Sequence, residues 1–272
     1  MPFLVLLAVS LVAGAAGAYL VSRNPLRGLA AEGATGVSAF VALKATAQRD
    51  GIKNWLAACR HSTTAAGLAF CAALLVFALG WLSVGVIAFL VRESPPLLEV
   101  DSGVADWAHV HGSTLSVQAT GVVTLLGDTI VVSALAGVLG TVIWVRQREP
   151  RTLVFLAAIV IGNAGLTIAV KLLMDRARPT LNPIADMLGP SFPSGHSSMA
   201  AAFYAAAALL LVQGRSRAVT AAIAGAAVSI AVGVAASRVF LDLHWLSDVI
   251  AGLAFGWAWF AFCVLAIGSG RR

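Results

Sequence analysis

The sequence predicts an all-α protein embedded in a membrane, and three observations carry that prediction. The chain of 272 residues is 60% hydrophobic and only 11% charged, with a mean hydropathy of +0.92, too little polar residue to cover a water-facing surface. Its apolar residues fall in long unbroken runs of about 20, the length a helix needs to cross a hydrocarbon core. These runs are rich in Ala, Leu, Val and Gly and do not alternate in polarity as barrel strands would.

Seven runs set seven predicted spans, at 3–22, 65–91, 119–145, 152–173, 197–213, 218–237 and 247–267. The first ends in AGAAGAYLVSRN and reads in part as a cleaved secretory signal with a small-residue processing site. It lacks a basic leading region, however, and Arg23 and Arg27 follow it, which favours an uncleaved anchor with its N-terminus outside. Segment 23–63 carries six basic residues with Trp55 and scattered apolar side chains between them. It is either a basic amphipathic stretch on the inner leaflet or a solvated linker with some helix. Segment 101–118, containing DWAHVHG, is expected to lie at the interface and rim the site. His109 and His111 are two apart and share no helical face, so they make a poor metal pair. Small residues in the spans (AGAAGA, AAAA, AGAA) permit close helix packing in lipid.

Charge sets the expected sidedness, because Lys and Arg gather in cytoplasmic loops. Segments 23–63, 146–151, 214–217 and the C-terminal tail hold thirteen of the eighteen basic residues. Arg92, Lys171, Arg176, Arg178 and Arg238 fall on the other side with nine of the twelve acidic residues, and that side is expected to face outward. The net charge of +6 and the pI near 9.9 then reflect inner-leaflet anchoring and imply no nucleic-acid partner. Cys71 and Cys263 lie in predicted spans and Cys59 on the cytoplasmic side, so no outward disulfide has a candidate pair.

The outward polar residues are concentrated in two stretches, KLLMDRARPTLNPIADMLGPSFPSGH and SRVFLDLHWLSD, each at span ends. Charged groups at membrane depth are costly and mark pairing or function. Lys171, Arg178, Arg238, His196, His244 and Asp248 together predict a cationic cup at the outer interface. Lys171 followed after six residues by Arg178-Pro179, then Pro193-Ser194-Gly195-His196, then Ser237-Arg238 with His244 and Asp248, resembles the three-part signature of the type 2 phosphatidic acid phosphatase (PAP2) superfamily. The resemblance covers about 63–268 and implies a six-span phosphatase core at 63–272, preceded by a membrane helix and basic connector at 1–62.

The residue types account for the chemistry that the resemblance implies. His244 and Asp248 are i to i+4, so at a helix start they share a face and the carboxylate can hold one imidazole nitrogen protonated while the other attacks. The resemblance implies a phosphohistidine intermediate on His244, with His196 as the acid that protonates the leaving alkoxide. Lys171, Arg178 and Arg238 supply fixed positive charge around a phosphoryl group. Ser194 is the expected N-cap of the fifth span, and the backbone N–H groups of Ser194 and Gly195 can point at an anion there. Arg176 could contact phosphate, a second phosphate or only the head-group region, and Asp242 is expected to point elsewhere. No HxxxH, CxxC or carboxylate cluster is present, so activity without a metal or cofactor is expected.

A cup at the membrane boundary suits an amphiphile whose tail stays in the bilayer, so the expected partners are membrane lipids and the expected substrate a lipid phosphate. Polyprenyl diphosphates such as undecaprenyl diphosphate, phosphatidic acid, phosphatidylglycerol phosphate and a lipid A phosphate all remain open. A phosphotransferase would use the same phosphohistidine, and a lipid-binding or transport protein is the other alternative. A transporter should carry polar groups midway through its spans, whereas here they gather at one face. Soluble haloperoxidases share the signature, and seven spans disfavour them. The expected location is the plasma membrane, multi-pass, with the site on the extracytoplasmic side.

Overall fold

The computed structural model describes residues 2–23, 65–180, 182 and 188–267, and nearly all of the expected connector 23–63 lies outside them. Every regular element among the described residues is helical. In chain order these are α1 (Pro2–Arg23), α2 (Ala65–Glu93), α3 (Pro95–His111), α4 (Thr114–Leu125), α5 (Thr129–Gln147) and α6 (Arg151–Ala157). A π-helical turn (Ala158–Gly162) then leads into α7 (Asn163–Met174), followed by α8 (Gly195–Leu211), α9 (Arg217–Phe240) and α10 (Leu246–Ile267).

Among the described residues six stretches of helix are long and apolar enough to cross a membrane: Leu4–Ser22, Cys71–Glu93, Thr129–Gln147, Arg151–Met174, Arg217–Phe240 and Leu246–Ile267. The seventh predicted span is the 17-residue α8. The protein is integral to a membrane, and the exposed faces of the long helices carry Leu82, Ile130, Val138, Ile161, Leu172 and Leu173, as a lipid-facing surface should.

The structure corrects one span. The predicted 119–145 helix is broken, with α4 ending at Leu125 and α5 starting at Thr129. Asp128 causes the restart: its Oδ1 accepts from the backbone N–H groups of Ile130 and Val131 at 2.8 and 3.2 Å, an N-cap that ends the continuity of the apolar run. The expected interfacial piece 101–118 is likewise two helices, with Ser113 closing a capping box with Ser116 at the start of α4.

Helix α8 is the centre of the bundle. Ala200, Ala201, Ala202 and Ala206 are fully buried along it, against α9, α10 and the α6–α7 rod. Its approach to α10 is close enough that a Cβ on Gly256 would sit 2.2 Å from the Ser198 carbonyl oxygen, and one on Gly252 would sit 2.6 Å from that of Ser194. Small residues at such a crossing let backbones meet where lipid gives no hydrophobic drive. The π-turn widens the helix and frees carbonyls; Trp259 on α10 donates its Nε1–H to one of them, Ala158 O, at 3.1 Å. Helix α1 packs along α9, where Gly14 faces Gly225 and Ser229.

Candidate active site

The signature motifs converge at one end of the bundle. The turn between α9 and α10 carries His244, 2% exposed, and the first turn of α10 carries Asp248, fully buried. His244 Nδ1 lies 3.4 Å from Asp248 Oδ2, and its Nε2 lies 3.1 Å from Arg178 Nη1. A guanidinium only donates, so Nε2 is the acceptor and the ring proton sits on Nδ1, facing the carboxylate. That is the tautomer an Nε2 nucleophile requires. Burial pushes the His244 pKa down to about 3 against the pull of Asp248, so the ring is neutral.

Asp248 is itself held from several directions. The Trp245 backbone N–H donates to Oδ2 at 3.0 Å and Arg176 Nη1 donates to Oδ1 at 2.6 Å. Through its other nitrogen Arg176 reaches Asp101 on α3 at 2.8 Å, and Asp101 accepts from the Ser247 backbone N–H at 2.9 Å. Arg176 therefore spends its donors on Asp248, Ser247 and Asp101. Trp245 lies beneath its guanidinium at 5.5 Å. Asp101 was not singled out in the sequence, and its 75-residue separation from Arg176 left no local signal. A cavity of about 460 Å³ opens beside this network, lined by Pro95, Leu98, Glu99, Asp101, Ser102, Arg176 and Trp245.

The three expected phosphate-binding cations are brought together, each tied differently. Arg178 is buried and donates Nε to Gly189 O at 2.7 Å and Nη1 to Leu243 O at 2.6 Å, so it fastens the 188–190 loop to the turn that bears His244. Burial lowers its pKa against the pull of Asp248. Lys171, near the end of α7, donates its ammonium to the carbonyls of Pro190 and Ser191. Arg238, near the end of α9, is 6% exposed; Nη1 donates to Thr124 Oγ1 at 3.1 Å and its Nε has no partner among the described residues. An unpaired buried donor beside two other cations leaves positive charge that the described residues do not neutralise.

Ser194 caps α8 as expected, its hydroxyl accepting from the Ser197 N–H at 3.4 Å, and its own N–H donates to Asp248 O at 3.0 Å. The Pro193–His196 stretch and the His244–Asp248 stretch are thus joined through backbone. Gly195 opens α8; a Cβ there would meet only Thr167 at 3.6 Å, so protein packing does not demand glycine at this position. His196 follows in the first turn, and Asp128 Oδ2 stands 3.9 Å from its Nε2. Asp242 does point elsewhere: its Oδ2 pairs with His109 Nδ1 at 2.8 Å, while His111 stacks on Trp107.

Residues 151–271 match the PAP2 superfamily. That stretch contains Lys171, Arg178, the Pro193–His196 motif, Arg238, His244 and Asp248, and leaves α1 to α5, with Asp101, Thr124 and Asp128, outside the match. Among curated proteins the chain is 46% identical over 71 residues to a lipid A 1-phosphatase of Rhizobium johnstonii, covering 26% of this chain and 25% of that one. It is 38% identical over 88 residues to phosphatidylglycerophosphatase B of Bacillus subtilis, covering 30% and 42%. The chain thus spans about a quarter to two fifths of the length of these relatives. The crystal structure of a transmembrane PAP2 type phosphatidylglycerolphosphate phosphatase from Bacillus subtilis superposes with a TM-score of 0.61 at 24% identity, over 70% of this chain and 93% of that one. The PAP2-type membrane fold is common to both.

Proposed function

We propose that the chain is an integral-membrane lipid phosphatase that works through a phosphohistidine on His244. The observation that carries this reading is the disposition of the imidazole, with Nδ1 toward Asp248 and Nε2 toward Arg178. An entering phosphate takes over the Arg178 hydrogen bond through one of its oxygens, and Nε2 is released to attack phosphorus. As the N–P bond forms, the P–O bond to the lipid breaks and His196 gives a proton to the departing oxygen. Lys171, Arg178, Arg238 and the α8 N-terminus at Ser194 and Gly195 hold the equatorial oxygens. Water, deprotonated by the now neutral His196, then attacks phosphorus and returns Nε2.

Charge is supplied by protein cations throughout, so the reaction proceeds without a divalent metal. Residues 63–272 carry the chemistry, and residues 1–62 add a membrane helix. The site faces the extracytoplasmic side of the plasma membrane, as the imbalance of basic residues suggests. Curated relatives that act on lipid A phosphate and phosphatidylglycerol phosphate support a phosphorylated amphiphile as substrate, with polyprenyl diphosphate and phosphatidic acid in the same chemical class. Phosphate release by detergent-purified protein in excess EDTA tests the reading. Wild type should release phosphate from a polyprenyl diphosphate or phosphatidic acid, and His244→Ala should lower the rate by about 1,000-fold or more. No release from either lipid would overturn it, and a phosphorylated lipid product in place of free phosphate would make the chain a phosphotransferase.

A further inference from the structure

We propose that Asp128, in the turn between α4 and α5, holds the proton on His196 and is thereby a positioning residue for leaving-group protonation. The inference rests on the phosphatase reading above for its consequence and on geometry for its substance. Burial of the His196 ring is the largest force lowering its pKa, and the ring also stands among cations: Arg238 from α9, Arg178 from the segment after α7 and Lys171 from α7 all act on it electrostatically, with Asp128 pulling the other way. Each of the cations favours loss of its proton. An acid needs that proton before the phosphate arrives. Among the described residues Asp128 is the one carboxylate within 4 Å of His196, with Oδ2 3.9 Å from Nε2.

The two oxygens of Asp128 have separate tasks. Oδ1 accepts from the Ile130 and Val131 N–H groups and fixes the side chain as the cap of α5. Oδ2 is left to face the imidazole. The turn is also pinned to the helix that carries His196. Tyr204 on α8 donates to Leu126 O at 3.0 Å. Gly127 lies so close that a Cβ there would be 2.8 Å from the His196 carbonyl oxygen and 2.4 Å from Val234 Cγ1. Only glycine allows this approach, and the approach is what places the next residue, Asp128, beside the ring.

In the reaction the His196 imidazolium transfers one ring proton to the alkoxide oxygen as the P–O bond breaks, and becomes neutral. In the second half it takes a proton from the attacking water and is an imidazolium again. Asp128 favours the charged ring in both halves. A leaving group that departs as a stable anion needs this proton less than a lipid alkoxide does.

Asp128→Asn and Asp128→Ser test the proposal, since both residues cap helices well and both remove the charge. Histidine NMR titration of detergent-purified protein, with His196 assigned by His196→Gln, should show its midpoint lowered by about 1 pH unit or more in both variants. With phosphatidic acid and p-nitrophenyl phosphate as probes, the ratio of the two rates should fall about 10-fold or more, and the alkaline limb of kcat on phosphatidic acid should move down with the midpoint. An unmoved His196 midpoint in both variants would overturn the proposal. If wild type released phosphate from neither probe, the phosphatase reading and the leaving-group role would fall together. The titration would still decide whether Asp128 holds the proton.

Discussion

Arg176 divides one guanidinium between two buried carboxylates, Asp101 and Asp248, and by doing so fixes the carboxylate that faces His244. A lysine in its place carries the charge but has no planar fork to reach both. Arg176→Lys is therefore expected to lower kcat by about 10-fold or more with little change in KM, because the residue acts through Asp248 and not on the phosphate. Steady-state phosphate release checks this, and an effect confined to KM would place Arg176 on the substrate instead. Arg176→Ala leaves two buried carboxylates without their cation and should destabilise the protein by about 3–5 kcal/mol in thermal unfolding. His244 carries the pH dependence at this scale. Its folded pKa of about 3 lies below the ordinary histidine value, so the unfolded chain binds the proton first. The stability from this group is complete above pH about 6.5 and is lost as pH falls from there toward 3, by about 1 kcal/mol per unit. Melting curves of wild type and His244→Asn between pH 7 and 4 should show wild type losing more on acidification, and parallel losses would contradict the assignment.

The site is assembled where helices α8 and α10 cross, and glycine sets the distance. Alanine at Gly256 would press against the Ser198 carbonyl and Ala201, so the two helices must part. The expected cost is about 1–3 kcal/mol in thermal unfolding. Phosphate release should fall as well, because Ser194 and Asp248 ride on these two helices and are joined by a backbone hydrogen bond. Unchanged melting and activity in Gly256→Ala would remove the crossing as the frame of the site. What the sequence disclosed about these elements was what is local in it. The i to i+4 spacing of His244 and Asp248 and the cap at Ser194 are short-range patterns, and the structure has both. The break before α5 was hidden because TLLGDTIVV is apolar on both sides of a single Gly-Asp pair. The two carboxylates that matter most outside the motifs, Asp101 and Asp128, meet their partners only through the fold, from α3 to α10 and from the α4–α5 turn to α8.

Membrane helices carry ordinary apolar faces toward lipid, and among the described residues the ionisable groups with buried partners gather at one end. Composition and run length were enough to read that architecture, since a bilayer leaves a chain few ways to satisfy its backbone. The match at 151–271 accounts for the signature half of the cup, while α3, the end of α4 and the α4–α5 turn complete it with Asp101, Thr124 and Asp128. The proposed mechanism depends on a covalent bond between phosphorus and one imidazole nitrogen. Rapid acid-free quenching of wild type with a lipid bearing radiolabelled phosphate, followed by peptide mapping, tests that bond most directly. The label should appear on the peptide containing His244, should be stable to base and labile to acid, and should be missing from His244→Ala. Label on another residue, or turnover of the lipid that never labels the protein under conditions that trap other phosphohistidines, would contradict it.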